Sequence, residues 1–457
     1  MSTKFIQENL KTPVSYECDV VVAGGGTAGF VAALAAARNG AKTILIDRFG
    51  FFGGSMLNGA GPLHSYFNVY KAFPGAEKIQ VVKGIAQEII DRMMACGGSP
   101  GHLEQDKGGN YDSVITLIDW EIFKGLAFDM LEEAGVKILL HTIVAGAICE
   151  NNKVSGVIIE GKSGREAISA AVVIDTTGDG DVAAQAGAGF VKMHGTTRVG
   201  MPFGMANVDM PRLVEFLEKN DMVTQCIRGD KGSEIDDVIR LGFDLKKIPV
   251  FKEYMEERGI WGPLGMSLHE NNYSYINGTN LRNVDATNTE EVTQAEITLR
   301  KQVMVLSAML KKHIPGFEKA YLNWTPVSIG VRYTRVIDCE HDMTLDEIVN
   351  CKRFDDEVML YGFHDSAPHI LIKDAGYYGI PYRAFLPKNI DGLLVAGRLI
   401  TSTFDAHMST RNTASCMAQG EAVGTAAALA AQEKVPPRDL DVQILRDTLK
   451  KQGVFLG

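Results

Sequence analysis

The sequence predicts an α/β chain: a doubly wound sheet with a small antiparallel meander, interrupted by an inserted α+β domain. Three observations carry this. A short apolar run at 19–23 leads through three glycines into an Ala-rich helical stretch at 29–39 and a second apolar run, Thr43–Ile46, which together make a complete βαβ unit. Buried-strand character returns at 392–397, followed by a long Ala/Gly-rich helical stretch at 413–432. Between them, residues 190–375 carry more charge and more aromatics.

The chain has 457 residues, beyond the roughly 250–300 at which one hydrophobic core stops growing. The predicted division is a discontinuous first domain at 14–62, 113–188 and 376–432, a substrate domain at 63–112 and 189–375, and a helical tail at 433–457. Within the first domain, 113–134 reads as helix and 136–140 as strand. Residues 142–160 read as a meander turning at Asn151-Asn152, and 170–175 as a buried strand. In the second, helical patterns lie around 290–312 and 344–350. Gly40 stops the first helix and Pro436-Pro437 ends the long one.

Composition excludes several classes. A net charge of −10 gives no basic footprint for nucleic acid. The seven cysteines form no CxxC pair, which argues against a disulfide scaffold, a zinc or iron–sulfur site and a redox-active pair; no metal is expected. The polar N-terminus lacks a secretory apolar core, and no apolar run is long enough to span a bilayer. A cytoplasmic protein with no membrane partner is the simplest expectation. Walker A, HExxH and GxSxG motifs are absent.

The chemistry-bearing motif is Gly24-x-Gly26-x-x-Gly29. Gly24 permits the tight turn, Gly26 lets backbone approach a pyrophosphate, and Gly29 permits close helix–strand packing. Thr27 and Ala28 open the helix, whose unpaired N–H groups attract the anion. Asp47, 47 − 29 = 18 residues past the last glycine, suits an acid that hydrogen-bonds ribose hydroxyls; Arg48 follows it. Gly53, Gly54 and Ser55 offer a second loop to the same ligand. The segment 175–181, with Gly178 and Asp179, ends a predicted strand at the edge that faces the ligand crevice. Gly397 and Arg398 end another, and Asn412 and Thr413 open a helix whose dipole suits a developing negative charge. A glycine-rich turn, solvated acids and a plain packing helix are the competing readings.

These blocks, in this order, resemble the FAD-dependent oxidoreductases of the glutathione-reductase-like group. That family carries a GG doublet after the ribose acid, here Gly53-Gly54, and a D-x-T-G-D-G-D segment, here Asp175 to Asp181. Its Y-x-I-P-Y-R segment falls here at Tyr378 to Arg383, and its L-L-V-A-G-R strand at Leu393 to Arg398. Val331-Arg332-Tyr333-Thr334-Arg335 is similar to its V-R-x-S/T-R segment, whereas 412–417 lacks the Met-Pro often found in relatives. The resemblance implies a Rossmann-like FAD-binding domain with an inserted substrate domain, and FAD as cofactor.

The function expected is hydride transfer between flavin N5 and a small polar organic substrate. The alternative is an FAD-binding protein that uses the flavin structurally or as an electron-transfer subunit. A plain NAD-dependent dehydrogenase suits the C-terminal return less well. Candidate catalytic residues are His407 as acid or base, Arg411 to hold a carboxylate or developing charge, His364, and Arg335. Capping, packing and ion-pair roles compete for each. Arg332, Arg383 and His64 are further candidates to line the site. An external electron donor or acceptor and an oligomer are both compatible with this reading.

Overall fold

The computed structural model describes residues 6–58, 78–104, 114–192, 198–258, 260, 263–365, 370–374 and 376–457. Strand β1 (Val14–Ala23) is the hub of the main sheet. Its last four residues are wholly buried, as a strand covered on both faces must be. Strand β2 (Thr43–Ile46) pairs parallel on one side, with Ala23 opposite Ile46. The Gly164–Asp175 strand pairs parallel on the other, with Ala23 opposite Asp175. Lys137–Leu139 extends the sheet beyond β2, and Leu393–Val395 pairs with the last residues of Gly164–Asp175. Register therefore sets Ala23, Ile46, Asp175 and Val395 level along one edge. The motif loops that begin at Gly24, Asp47, Thr176 and Ala396 emerge there together.

The Gly164–Asp175 strand serves two partners. Its first half pairs antiparallel with Lys153–Gly161, which forms a hairpin with Ile143–Glu150. Asn151 and Asn152 turn that hairpin at φ 50° and 61°, the left-handed pair that a two-residue hairpin requires. The expected meander is this unit. The expected helix over 113–134 is shorter: Val114–Thr116 is a strand paired with His102–Glu104, and the helix is Trp120–Glu133. Val114, Ile115 and Thr116 are β-branched, and Asp119 caps the helix by accepting from the Glu121 and Ile122 N–H groups.

The inserted part carries a six-stranded antiparallel sheet in the order Val223–Arg228, Val238–Phe243, Leu264–Met266, Asn272–Asn277, Phe203–Ala206, Tyr321–Trp324. The Thr289–His313 helix buries Ala295, Leu299, Val303, Leu306 and Leu310 in the same core, a stripe at helical spacing. This core spans residues 199–329. Residues 81–93, most apolar positions between 337 and 372, and Leu440, Leu445 and Leu449 of the tail also pack into the first core. The apolar face of Ile85–Ala95 explains the first of these, with Ile85, Ala86, Ile89, Ile90 and Met93 buried.

Helix α1 (Thr27–Arg38) and the Thr413–Glu433 helix lie against each other through small residues. A side chain at Gly420 would overlap the Ala28 carbonyl, and one at Gly424 the Ala32 carbonyl. Both matches advance by four residues in the same sense, so the helices run parallel.

Glu421 on the Thr413–Glu433 helix is buried and accepts from the Ile85 N–H at 3.0 Å. Burial pushes its carboxyl from 4.5 up to about 7, opposed by that hydrogen bond and by Arg38. A carboxyl raised in the folded state contributes full stability below pH 4.5 and loses it progressively as pH rises towards 7. Glu421→Gln keeps an acceptor and removes the ionisation. Denaturant unfolding from pH 4 to 8 should show the variant gaining on the parent over that window, by on the order of 2–3 kcal/mol at its upper end.

Candidate cofactor and active site

The loop after β1 is built for close approach. Gly24 stands at φ 99°, and a Cβ there would lie 2.7 Å from the Thr176 carbonyl oxygen. Gly29 faces the Gly24 carbonyl with no room for a side chain. Thr176 locks this contact from below, donating to the Gly24 carbonyl at 2.7 Å and the Ala23 carbonyl at 3.1 Å. Gly26 differs. Its backbone, at φ −67°, is open to any residue, and a Cβ there meets nothing among the described residues closer than 4.0 Å. Neither strain nor protein packing demands that glycine. The space in front of it, at a helix N-terminus without a side-chain cap, fits a phosphate group.

The second loop is docked onto the first. Gly53 N–H donates to the Gly25 carbonyl at 2.9 Å, and Thr27 Oγ1 donates to the Gly53 carbonyl at 3.1 Å. Gly54, at φ 50°, would drive a Cβ to 2.9 Å from Gly26 Cα. Ser55 begins the short Ser55–Asn58 helix and is exposed. Asp47 is buried and accepts from the Gly25 and Phe49 N–H groups, each at 2.7 Å. Burial raises its carboxyl, and those two hydrogen bonds with Arg48 pull it back down. Asp47 therefore clips the glycine loop as well as standing where a ribose acid is expected. Removing it would therefore cost folding stability as well as cofactor affinity.

At the third loop, Asp175 is fully buried and holds the turn by accepting from Thr177 N, Thr177 Oγ1 and Ala183 N. Burial pushes it up to about 6 against those bonds. Asp179 receives Arg398 Nη2 at 2.9 Å and Thr334 Oγ1 at 2.8 Å. Arg335 binds Asp181 and the Asp179 carbonyl, each at 2.8 Å. Arg335, expected as a catalytic candidate, is thus an ion-pair clamp on the 177–181 loop. The same segment is bound again at Ile337, whose N–H donates to the Leu399 carbonyl at 2.8 Å.

The fourth loop leads to the Thr413–Glu433 helix. Gly397, at φ 90°, donates its N–H to Gln419 Oε1 at 2.8 Å, and Gln419 Nε2 donates to the Thr410 carbonyl at 2.7 Å. Gln419 and Thr176 are the positioning residues that sequence reasoning missed; the signal for Gln419 is a polar residue inside an Ala/Gly-rich helix. Asn412 turns its amide back to the Met408 and Ser409 carbonyls and does not cap the helix. Gly420 lies level with Ala28, so residue 419 is level with Thr27. Thr413 then projects 419 − 413 = 6 residues further, about 9 Å. Two parallel, uncapped helix N-termini aim at one crevice.

The remaining candidates separate by burial and pairing. His407 is wholly buried, with Nδ1 3.2 Å from the Ile400 carbonyl and its ring edge-on to Tyr333. Its Nε2 has no well-aligned partner among the described residues; the Arg332 backbone is the polar group beside it. Burial, then Arg411, pulls the imidazole down to about 3, so it is neutral across physiological pH. His364 is buried, held at Nε2 by the Asp405 carbonyl at 2.6 Å, and lowered by burial. Both rings are enclosed, which corrects the expectation of His407 as acid or base and of His364 as a catalytic residue. Arg411 pairs with Asp365, and Arg383 with Asp356. His64 lies outside the described residues. All seven cysteines are free. Among the described residues no cluster of His, Cys, Asp or Glu could hold a metal ion, and no helix is long and apolar enough to cross a membrane.

Gly26 and Gly29 give a paired test. Gly26→Ala should fold with unchanged thermal stability yet lose FAD affinity by tenfold or more, on the order of one lost charge-assisted hydrogen bond. Gly29→Ala should fail to fold or melt far lower, because its methyl overlaps the Gly24 carbonyl. Equal FAD affinity in Gly26→Ala and the parent, by fluorescence titration of apoprotein, would mean that the space before Gly26 is not the phosphate site.

A family model for FAD dependent oxidoreductases matches residues 19–449. Thiamine thiazole synthase of Methanococcus vannielii is 31% identical over 170 residues, 35% of this chain and 56% of that protein. Urocanate reductase of Eggerthella lenta is 31% identical over 157 residues, 33% of this chain and 23% of that protein. Digeranylgeranylglycerophospholipid reductase of Methanothrix thermoacetophila is 31% identical over 142 residues, 31% of this chain and 34% of that protein. The chain thus spans about half the length of the first relative and less of the other two. The family match takes in both cores and all four motif loops, and FAD is that family's cofactor: the chain belongs to the FAD-dependent oxidoreductase family.

Proposed function

We propose that this enzyme transfers a hydride between flavin N5 and a small polar organic substrate, and that it falls in the glutathione-reductase-like group of flavoproteins. The observation that carries the reading is the pair of parallel, uncapped helix N-termini at one crevice, with Arg411 in the turn before the second. Bound FAD supplies the two-electron chemistry. The chain supplies position and field. Backbone at Gly26 and the α1 N-terminus hold the pyrophosphate, Asp47 the ribose, and Asp179 with Arg398 the neighbouring chain of the cofactor. The Thr413 N-terminus and Arg411 favour negative charge on the ring edge or on a substrate. A cytoplasmic location, a small-molecule partner and an external electron donor or acceptor belong to the same reading.

The burial of His407 and His364 favours a second reading, in which the flavin serves structure or electron transfer without substrate chemistry of its own. Anaerobic reduction with dithionite, followed by a substrate panel read by flavin absorbance, separates the two. At least one polar organic compound should reoxidise or reduce the flavin. If none acts in either direction while an electron carrier does, the second reading replaces the first.

Arg411→Gln should leave FAD bound and slow substrate-linked flavin reduction or reoxidation by about 10²-fold or more, the scale of one lost charge-stabilising donor. His407→Ala, by contrast, should act through stability, lowering the melting temperature by emptying a buried site. An unchanged rate in folded Arg411→Gln would take Arg411 out of the active site.

A further inference from the structure

The arginines around the crevice are not equivalent. Arg335 is paired with Asp181, Arg398 with Asp179, Arg383 with Asp356 and Arg411 with Asp365. Arg332 alone of these five has neither a hydrogen bond nor an ion pair on its side chain among the described residues.

Its place is fixed by its neighbours. Val331 pairs with Val199, and the Ser55–Asn58 helix packs on the Gly330–Val331 strand, with Asn58 Nδ2 3.4 Å from Ser328 Oγ. Tyr333 packs edge-on against His407, and Thr334 binds Asp179. Arg332 therefore stands between the loop that follows Gly53-Gly54 and the turn that precedes the Thr413 helix. More than a third of its surface is open to solvent, yet it is crowded enough by protein that burial is the largest influence on its guanidinium. A side chain both open and surrounded lines a recess. Arg411 and Arg198 disfavour its charge and Asp365 and Tyr275 favour it, and Asp365 is already committed to Arg411. Arg332 thus presents an uncommitted planar fork of donors beside an already paired Arg411.

We infer that Arg332 is the specificity residue of the active site and binds the carboxylate of an anionic organic substrate. A guanidinium matches a carboxylate in a bidentate geometry that a lysine cannot reproduce. Arg411, fixed by Asp365, adds charge from the cofactor side without leaving its partner. This deepens the hydride-transfer reading by naming the substrate class, and rests on it only for the use made of the bound carboxylate.

The test is binding to the oxidised holoprotein at constant ionic strength, without turnover. Acetate, benzoate and succinate are titrated while the flavin visible spectrum is followed, with inorganic phosphate and chloride as controls. At least one carboxylate should perturb the spectrum saturably. Arg332→Gln should weaken that binding by about 10- to 100-fold, and Arg332→Lys should recover it only in part. Arg332→Gln should also melt no lower than the parent, since it relieves repulsion from Arg411 and Arg198, whereas a structural arginine would show a clear drop. Carboxylate binding unchanged in Arg332→Gln, phosphate binding as tightly as every carboxylate, or a loss of FAD affinity in its place would overturn the assignment. Carboxylate binding through Arg332 with no carboxylic acid exchanging electrons with the flavin would leave the anion site standing and remove the hydride-transfer reading instead.

Discussion

The contact between α1 and the Thr413–Glu433 helix is the constraint on which the rest of the site depends. Gly420 and Gly424 let that helix settle onto the Ala28 and Ala32 carbonyls. Any side chain at those glycines would hold the two helices further apart. The contact joins residues near the start of the chain to residues near its end. It also fixes the offset between two positive helix ends, one level with Gly26 and the other about 9 Å beyond it. The level strand ends Ala23, Ile46, Asp175 and Val395 then present the four motif loops to the same crevice.

The inserted sheet packs on the first core through Ile227, Ile239, Met266 and Tyr275, and one short segment ties it to the crevice loops. Thr334 and Arg335 grip the 177–181 loop, Ile337 binds the Leu399 backbone, and Tyr333 packs on His407. Four interactions within residues 333–337 leave little freedom for the backbone at Arg332. A second contact, Trp120 stacked on Trp324 with centroids 4.3 Å apart and His269 2.9 Å from Asp119, ties the insertion to the first core elsewhere. The two cores thus meet along a hydrogen-bonded seam beside the crevice.

Much of the cofactor side was legible in the sequence because its determinants are local. A buried strand, a glycine turn, an Ala-rich helix and an acid at a fixed distance each leave a mark within a few residues, and the hairpin at Asn151-Asn152 does the same. What was illegible depends on pairing across long separations. Arg398 and Asp179 lie 219 positions apart, and Arg335 and Asp181 lie 154 apart. Nothing local distinguishes Arg335, which is committed, from Arg332, whose side chain has no hydrogen-bond or ion-pair partner among the described residues. Burial misled in the same way: His407 sits beside a turn rich in Ser and Thr, and only the packing of Tyr333 and the Ile400 carbonyl reveals it as enclosed. The strand Val114–Thr116 was read as helix because its partner, His102–Glu104, lies in an irregular stretch.

In the proposed enzyme the glycine contact between the helices sets the field at the flavin. The midpoint potential of the bound flavin in Gly420→Ala, measured beside the parent on folded holoprotein, tests it most directly. Displacing the Thr413 helix end would remove positive charge from the electron-rich edge of the reduced ring, so a more negative potential is expected together with weaker FAD binding. A folded Gly420→Ala variant with the parent's potential and the parent's FAD affinity would contradict it.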